Sequence, residues 1–205
     1  MKRIFAILLV MVSTLAQAQK STLEKVEPQI NQVRAALLES AKPFTRSLLI
    51  DELVEKMEMH DVDVIVTTKS VPGGAMYFPG IILVGVDVIG LPRAQLAYVL
   101  AHEYGHHTRM HWTSTLSRGA GLAYAAGKEW STFEEISKFT DQAMTPEFCR
   151  SNELDADRAA VLLLKSFGQY DQKAVASLLS KIAEPSDTDT HPSASTRIAA
   201  MAAIH

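Results

Sequence analysis

Residues 102–107 read HEYGHH, and the reading of that stretch decides the fold around it. His102 and His106 stand four residues apart, so on a helix their side chains leave from one face, one turn apart. Glu103 lies beside the first of them. An HExxH pair on a helix can hold a metal with a base next to it, but spacing alone also fits an ordinary helix surface. The metal reading therefore needs a helix around the motif and a third ligand elsewhere in the chain.

The sequence supplies both. Leu91-Pro92 puts a proline where a first helical turn accepts one, and Leu96, Val99 and Leu100 give the following segment an apolar side. Farther on, Thr145-Pro146-Glu147 combines a capping residue, a proline and an acid, which predicts a long helix ending near Phe167. That helix carries NELDADRAA, residues 152–160. Taken alone, Glu153 and Asp157 are also what solvated acids balancing Arg150 and Arg158 look like. Set beside HExxH, Glu153 is the third ligand and Asp157, one turn along, is placed to hydrogen-bond a ligating histidine. Two neutral imidazoles and one carboxylate leave a charge of about +1 on a single Zn²⁺ with an open fourth position, the arrangement that acidifies a bound water. Glu103 is placed to take that water's proton. His107 leaves the helix from another face and His111 lies five residues beyond His106, so both read as surface histidines.

The start of the chain predicts a compartment. MKR, the apolar stretch IFAILLVMVSTLA and Ala16-Gln17-Ala18 form the pattern of a signal peptide over residues 1–18, cleaved before Gln19. The expected location is the periplasm, with secretion as the alternative. Removing those 18 of 205 residues leaves 187, expected to form a single domain over 19–205, and losing Lys2 and Arg3 moves the formal charge from −3 to −5. A mildly acidic chain with no basic cluster excludes nucleic acid as a partner. Cys149 is the only cysteine; it cannot form an internal disulfide and reads as a buried thiol. The apolar run at 81–100 is interrupted by Asp87, Pro92, Arg93 and Gln95, which suits a strand followed by a helix better than a membrane span.

Elsewhere the periodicity predicts helices over 23–41 and 46–60. The alternation of Val62, Val64 and Val66 predicts a half-buried strand at 61–68. After the turn VPGG, AMYFPGIILVGVDVIG offers one or two strands broken by Pro79 and Gly85, making a small sheet. The strand in GIILVGV is expected to form the edge of a cleft and to pair with an extended substrate; the alternative is an inner strand paired on both sides. From 112 to 144 the pattern weakens, although EWSTFEEISKF suits a helix over the cleft, either as plain packing or as a moving lid. THPSASTR, residues 190–197, precedes a helix expected over 193–204.

The order VPGG, LAYVLAHEYGHH, NELDADRAA, THPSASTRIAAM resembles the gluzincin metallopeptidases of the HtpX and CAAX-prenyl-endopeptidase type, including their soluble periplasmic members, over Val71 to Met201. The resemblance implies an α+β, mainly helical zincin-like domain with a small β-sheet beside the active-site helix, and endopeptidase activity. It also implies that THPSASTR lies at the active site. There His191 either donates to the oxyanion or occupies the open metal position at rest, Arg197 is a competing donor, or His191-Pro192 caps the helix while Arg197 pairs with an acid such as Asp157. Two departures are expected: from the membrane-embedded members in the lack of transmembrane helices, and from other relatives in the lack of a tetratricopeptide extension after the catalytic domain. The expected function is an exported zinc endopeptidase acting on misfolded or unassembled envelope proteins. The alternative is a zinc-containing assembly factor or chaperone with little or no proteolysis, and a metal-dependent amidase acting on cell-wall peptides is a third reading. Glu103 favours the enzyme, because a structural metal has no use for a base beside its ligand.

Overall fold

The structure is a computed structural model that describes residues 24–36, 39, 47–68, 70–71, 73–128 and 133–204. The expected signal peptide lies outside the described residues. Within them the chain is mainly helical, with one three-stranded sheet. The elements are α1 (24–36), α2 (Leu48–Lys56), β1 (Asp63–Val66), β2 (Ala75–Phe78), β3 (Ile81–Val84), the short α3 (Val86–Ile89), α4 (Arg93–Thr108), α5 (His111–Ala125), α6 (Phe133–Ala143), α7 (Pro146–Ser166), α8 (Gln172–Ile182) and α9 (Ala194–Ala202).

The described residues group into two compact units. The smaller takes in 24–33 and 113–144. Inside it, α5 and α6 approach closely at Gly119, where an added Cβ would lie 2.5 Å from the Thr140 hydroxyl. The larger takes in 34–112 and 145–204 and holds the sheet, α2 to α4 and α7 to α9.

In the larger unit, Pro79-Gly80 makes a two-residue turn, with Gly80 at φ +77°, and sets Phe78 opposite Ile81. A proline followed by a left-handed glycine suits such a turn. β2 thereby runs antiparallel to β3, while β1 pairs parallel to the other side of β3 with Val64 opposite Ile82 and Val66 opposite Val84. The order is β1-β3-β2, which corrects the expectation for GIILVGV: its strand is the inner one, and the outer strands are β1 and β2. VDVI, expected to extend the sheet, instead turns into α3.

α4 is buried on most of its surface, from Gln95 through His102 and Gly105, because it packs against α7 and β2 and also against α8. α7 starts where the sequence places it: the Thr145 hydroxyl accepts from the Phe148 amide and Pro146 occupies the first turn. The two helices can meet closely only because residue 105 is glycine. A Cβ there would fall 2.7 Å from the carbonyl oxygen of Ala156. Leu96, Leu100, Val161 and Leu164 join Ile50, Leu53, Ile82, Val84 and Leu179 in one core around this contact. α8, whose Asp171 carboxylate caps the amides of Lys173 and Ala174, and α9, capped by Ser193, complete the unit. Among the described residues no helix is long and apolar enough to cross a membrane.

Candidate metal centre

The close contact of α4 with α7 brings three side chains to one point. His102 Nε2 lies 3.4 Å from Glu153 Oε2, His106 Nε2 lies 3.4 Å from Glu153 Oε1, and the two Nε2 atoms are 3.3 Å apart. The three ligand atoms all fall within 4.8 Å of one another. This is the convergence expected from His102 and His106 at one turn's spacing on α4 and from Glu153 on α7. Glu103 follows His102 on α4 and is half-buried.

Behind His102 the site is shut off from the surface. Asp157, with no exposed surface, accepts from His102 Nδ1 at 2.9 Å and from the Tyr98 hydroxyl at 2.5 Å. Arg197 grips the same carboxylate with both ends of its guanidinium, Nε to Oδ2 at 2.8 Å and Nη2 to Oδ1 at 2.6 Å, and Nη2 also donates to the Tyr98 oxygen at 3.2 Å. Nη2 lies 3.4 Å from His102 Nδ1 as well. Both atoms are donors in this arrangement, so the nearer Asp157 oxygen is the partner of that ring nitrogen. In its neutral form His102 is thus held as the tautomer with hydrogen on Nδ1, which leaves the Nε2 lone pair for a cation beside Glu153.

Electrostatics agree with a cation between these groups. Burial alone would raise the Asp157 carboxyl, but Arg197 and then His102 hold it down at about 2. Burial would likewise raise Glu153, yet the hydrogen bonds of His102 and His106 hold it well below the usual carboxylate range. Burial opposes charge on His102, and Asp157 and Glu153 outweigh it, raising the imidazole to about 10. A buried carboxylate pair that draws a positive charge onto His102 in this way fits a divalent cation held by two Nε2 atoms and one carboxylate oxygen.

His191 and Arg197 both reach this region, at different depths. Arg197 sits below the ligands, with Nη1 4.0 Å from Glu153 Oε2 and its side chain 8% exposed. His191 stands at the rim, with Nε2 3.8 Å from the same oxygen and its side chain 57% exposed. The loop before it is closed by hydrogen bonds from the Thr188 amide to the His191 carbonyl and from the His191 amide to the Thr188 hydroxyl, at 2.8 and 2.9 Å. Asp187 accepts from the Ser193 amide at the foot of α9.

The neighbouring histidines behave differently from each other. His107 leaves the ligand face as the spacing requires. Its Nε2 donates to Asp61 at 2.9 Å and its Nδ1 accepts from the Tyr77 hydroxyl at 3.1 Å, which ties β2 to α4. His111, expected at the surface, is buried against His106. Burial, with the His106 ring beside it, holds its imidazole below the ordinary value. Cys149, expected to be buried, is half-exposed, and burial raises its thiol. Tyr98 and Asp155 belong to the surroundings of the site and were not singled out in the sequence. Tyr98 lies four residues before His102, so its place on the same helix face was available from spacing alone.

Comparison with known proteins returns one family: the model of peptidase family M48 matches residues 45–205. No curated protein and no solved structure gives a match.

Proposed function

The chain belongs to peptidase family M48, and from that premise we propose that it is a zinc endopeptidase exported to the periplasm, where it cleaves misfolded or unassembled envelope polypeptides. The observation that carries the chemistry is the convergence of His102, His106 and Glu153, with Glu103 on the same helix as the two histidines. Bound there, zinc would supply a Lewis acid that acidifies water and polarises a peptide carbonyl. Glu103 takes the proton of the attacking water and passes it to the departing amine. Asp157 fixes the ring of His102, and Arg197 and Tyr98 fix Asp157, so the ligand face is set before substrate arrives. His191, at the rim, donates to the oxyanion as it forms. An extended substrate pairs with the outer edge of β2, the outer strand that packs on α4, and backbone pairing of that kind gives affinity with little demand on sequence. The export pattern at residues 1–18 supports the location.

The test uses the mature protein, residues 19–205, and its Glu103→Gln form, with zinc content and casein hydrolysis measured on both. The expected result is one zinc per chain in each and hydrolysis lost by about 10²–10⁴-fold or more in Glu103→Gln, because a base and not a ligand has been removed. Near-parental turnover in Glu103→Gln would overturn its role. A zinc-loaded parent that cleaves nothing would favour the assembly-factor reading, in which the metal only clamps α4 to α7.

A further inference from the structure

His106 has a support of its own. Its Nδ1 lies 2.9 Å from Nδ1 of His111, with the ring centroids 5.0 Å apart and the planes 75° to one another. On its far side His111 presents Nε2 to Asp155 Oδ2 at 3.4 Å, and Arg109 Nε lies 3.7 Å from the same oxygen. His111 is 9% exposed at its side chain. It reaches this position through a break in the helix: Met110 adopts φ +54°, and α5 restarts at His111.

We propose that His111, oriented by Asp155, is a positioning residue that fixes the tautomer and ring orientation of His106 for metal binding. The direction of the hydrogen bonds follows from the atoms. If His106 offers Nε2 to the metal, its neutral ring carries hydrogen on Nδ1. Two Nδ1 atoms at hydrogen-bond distance need one donor and one acceptor, so His111 Nδ1 accepts. The hydrogen of His111 is then on Nε2, which donates to Asp155. Every ring nitrogen in the series has a role consistent with its neighbour. His102 is backed directly by a carboxylate, whereas His106 is backed by a carboxylate acting through a second imidazole. Outer partners of this kind are worth about 10–100-fold in metal affinity.

The inference rests on the metal reading of His102, His106 and Glu153, and the experiment separates the two. Zinc dissociation constants are measured by chelator competition on the mature protein and on His111→Phe, His111→Asn and Asp155→Asn, together with the thermal midpoint of each metal-free form and the visible spectrum of the Co²⁺ form. His111→Phe keeps a ring but loses the acceptor, and should raise the zinc dissociation constant about 10–100-fold with an altered Co²⁺ spectrum. His111→Asn places an amide oxygen where Nδ1 was and should recover most of the affinity and the parental spectrum, whatever its thermal midpoint. A purely structural role would move the midpoint and the affinity together in both variants. Equal zinc affinity in parent and His111→Phe overturns the proposal, as does a loss in His111→Asn as large as that in His111→Phe. If His111→Phe does not fold, Asp155→Asn decides: weakened zinc binding supports the role and unchanged binding overturns it. A folded parent that binds no zinc overturns the metal reading itself, a result distinct from any of these.

Discussion

Arg197 and His191 come from one eight-residue stretch, and both approach the carboxylate of Glu153, yet they are held in opposite ways. Arg197 is 8% exposed and makes a bidentate contact with a fully buried aspartate. His191 is 57% exposed, with its nearest approach to the ligand carboxylate at 3.8 Å. The difference teaches which of the two the fold depends on. In a dry setting a charge without its partner is expensive, so a buried pair matters most through the cost of breaking it. At the rim, water screens the same attraction to a small value. Arg197 is therefore part of the folding problem, and His191 contributes little to it. Substitutions at and around the two positions should separate these roles.

Arg197→Ala is expected to have the largest effect. It leaves Asp157 buried without its main partner, which costs about 3–5 kcal/mol and lowers the thermal midpoint of the metal-free protein by on the order of 10 °C. Lysine should rescue poorly, because one ammonium cannot reproduce the paired contacts to Oδ1 and Oδ2. A loss smaller than about 1 kcal/mol, the level of a surface pair, would break the comparison at its buried end.

The same pair should give the protein an acid limb. The folded Asp157 is depressed to about 2 from an ordinary 3.8, burial opposing and Arg197 then His102 prevailing. A carboxyl depressed on folding adds stability above its unfolded value, and that stability fades as pH falls towards the folded value. About 2 kcal/mol should therefore disappear between roughly pH 4 and pH 2, as read from denaturant titrations. The limb should be shallower in Arg197→Ala, in which the depressing charge is gone. Equal slopes in the two proteins would assign the acid sensitivity to other carboxylates.

Gly105→Ala should come next, at about 1–3 kcal/mol. Its Cβ would lie 2.7 Å from the Ala156 carbonyl oxygen, so α7 must move away from α4 and carry Glu153 with it. Zinc affinity should fall along with stability, whereas Arg197→Ala leaves the backbone of α7 in place and acts on His102 and Glu153 through Asp157 and through the lost charge 4.0 Å from Glu153. A stable Gly105→Ala protein with parental zinc affinity would show that the helix contact has slack.

The parts of this arrangement that were legible in the sequence are those fixed by local rules. The first turn of α7 follows from Thr145 and Pro146, and the convergence of His102 and His106 with Glu153 follows from helical spacing on α4 and from the placing of α7. What was not legible depends on contacts distant in sequence or on a single unusual dihedral. An apolar run such as Ile81–Val84 reports burial, and burial does not say which neighbours pair with it, so an inner strand was read as an edge. On a continuous helix His111 would point away from His106; the left-handed turn at Met110 redirects it, and an exposed methionine gives no signal of such a turn. α8 was missed although Asp171 and the apolar positions Val175, Leu178 and Leu179 mark it.

His191→Ala should have the smallest effect on the fold and is the test of the comparison's exposed end. Its side chain is mostly in water and its ring interaction on the loop, Nδ1 with the Thr190 hydroxyl at 2.8 Å, is itself exposed, so stability should change by no more than about 0.5 kcal/mol. The loop survives the substitution because its closing bonds use the His191 backbone and the Thr188 side chain. With Nδ1 taken by Thr190, the ring has Nε2 turned towards Glu153, the side from which a donor could meet an oxyanion forming above the ligands. Turnover should accordingly fall by about 10²-fold, with zinc content and KM little changed. A rise in activity would mean instead that the imidazole obstructs the metal position at rest. Unchanged kinetics on a stable, zinc-loaded variant would leave His191 as a loop residue ahead of α9, and the oxyanion donor would then have to be sought among the less exposed groups, with Arg197 nearest to Glu153 and already committed to Asp157.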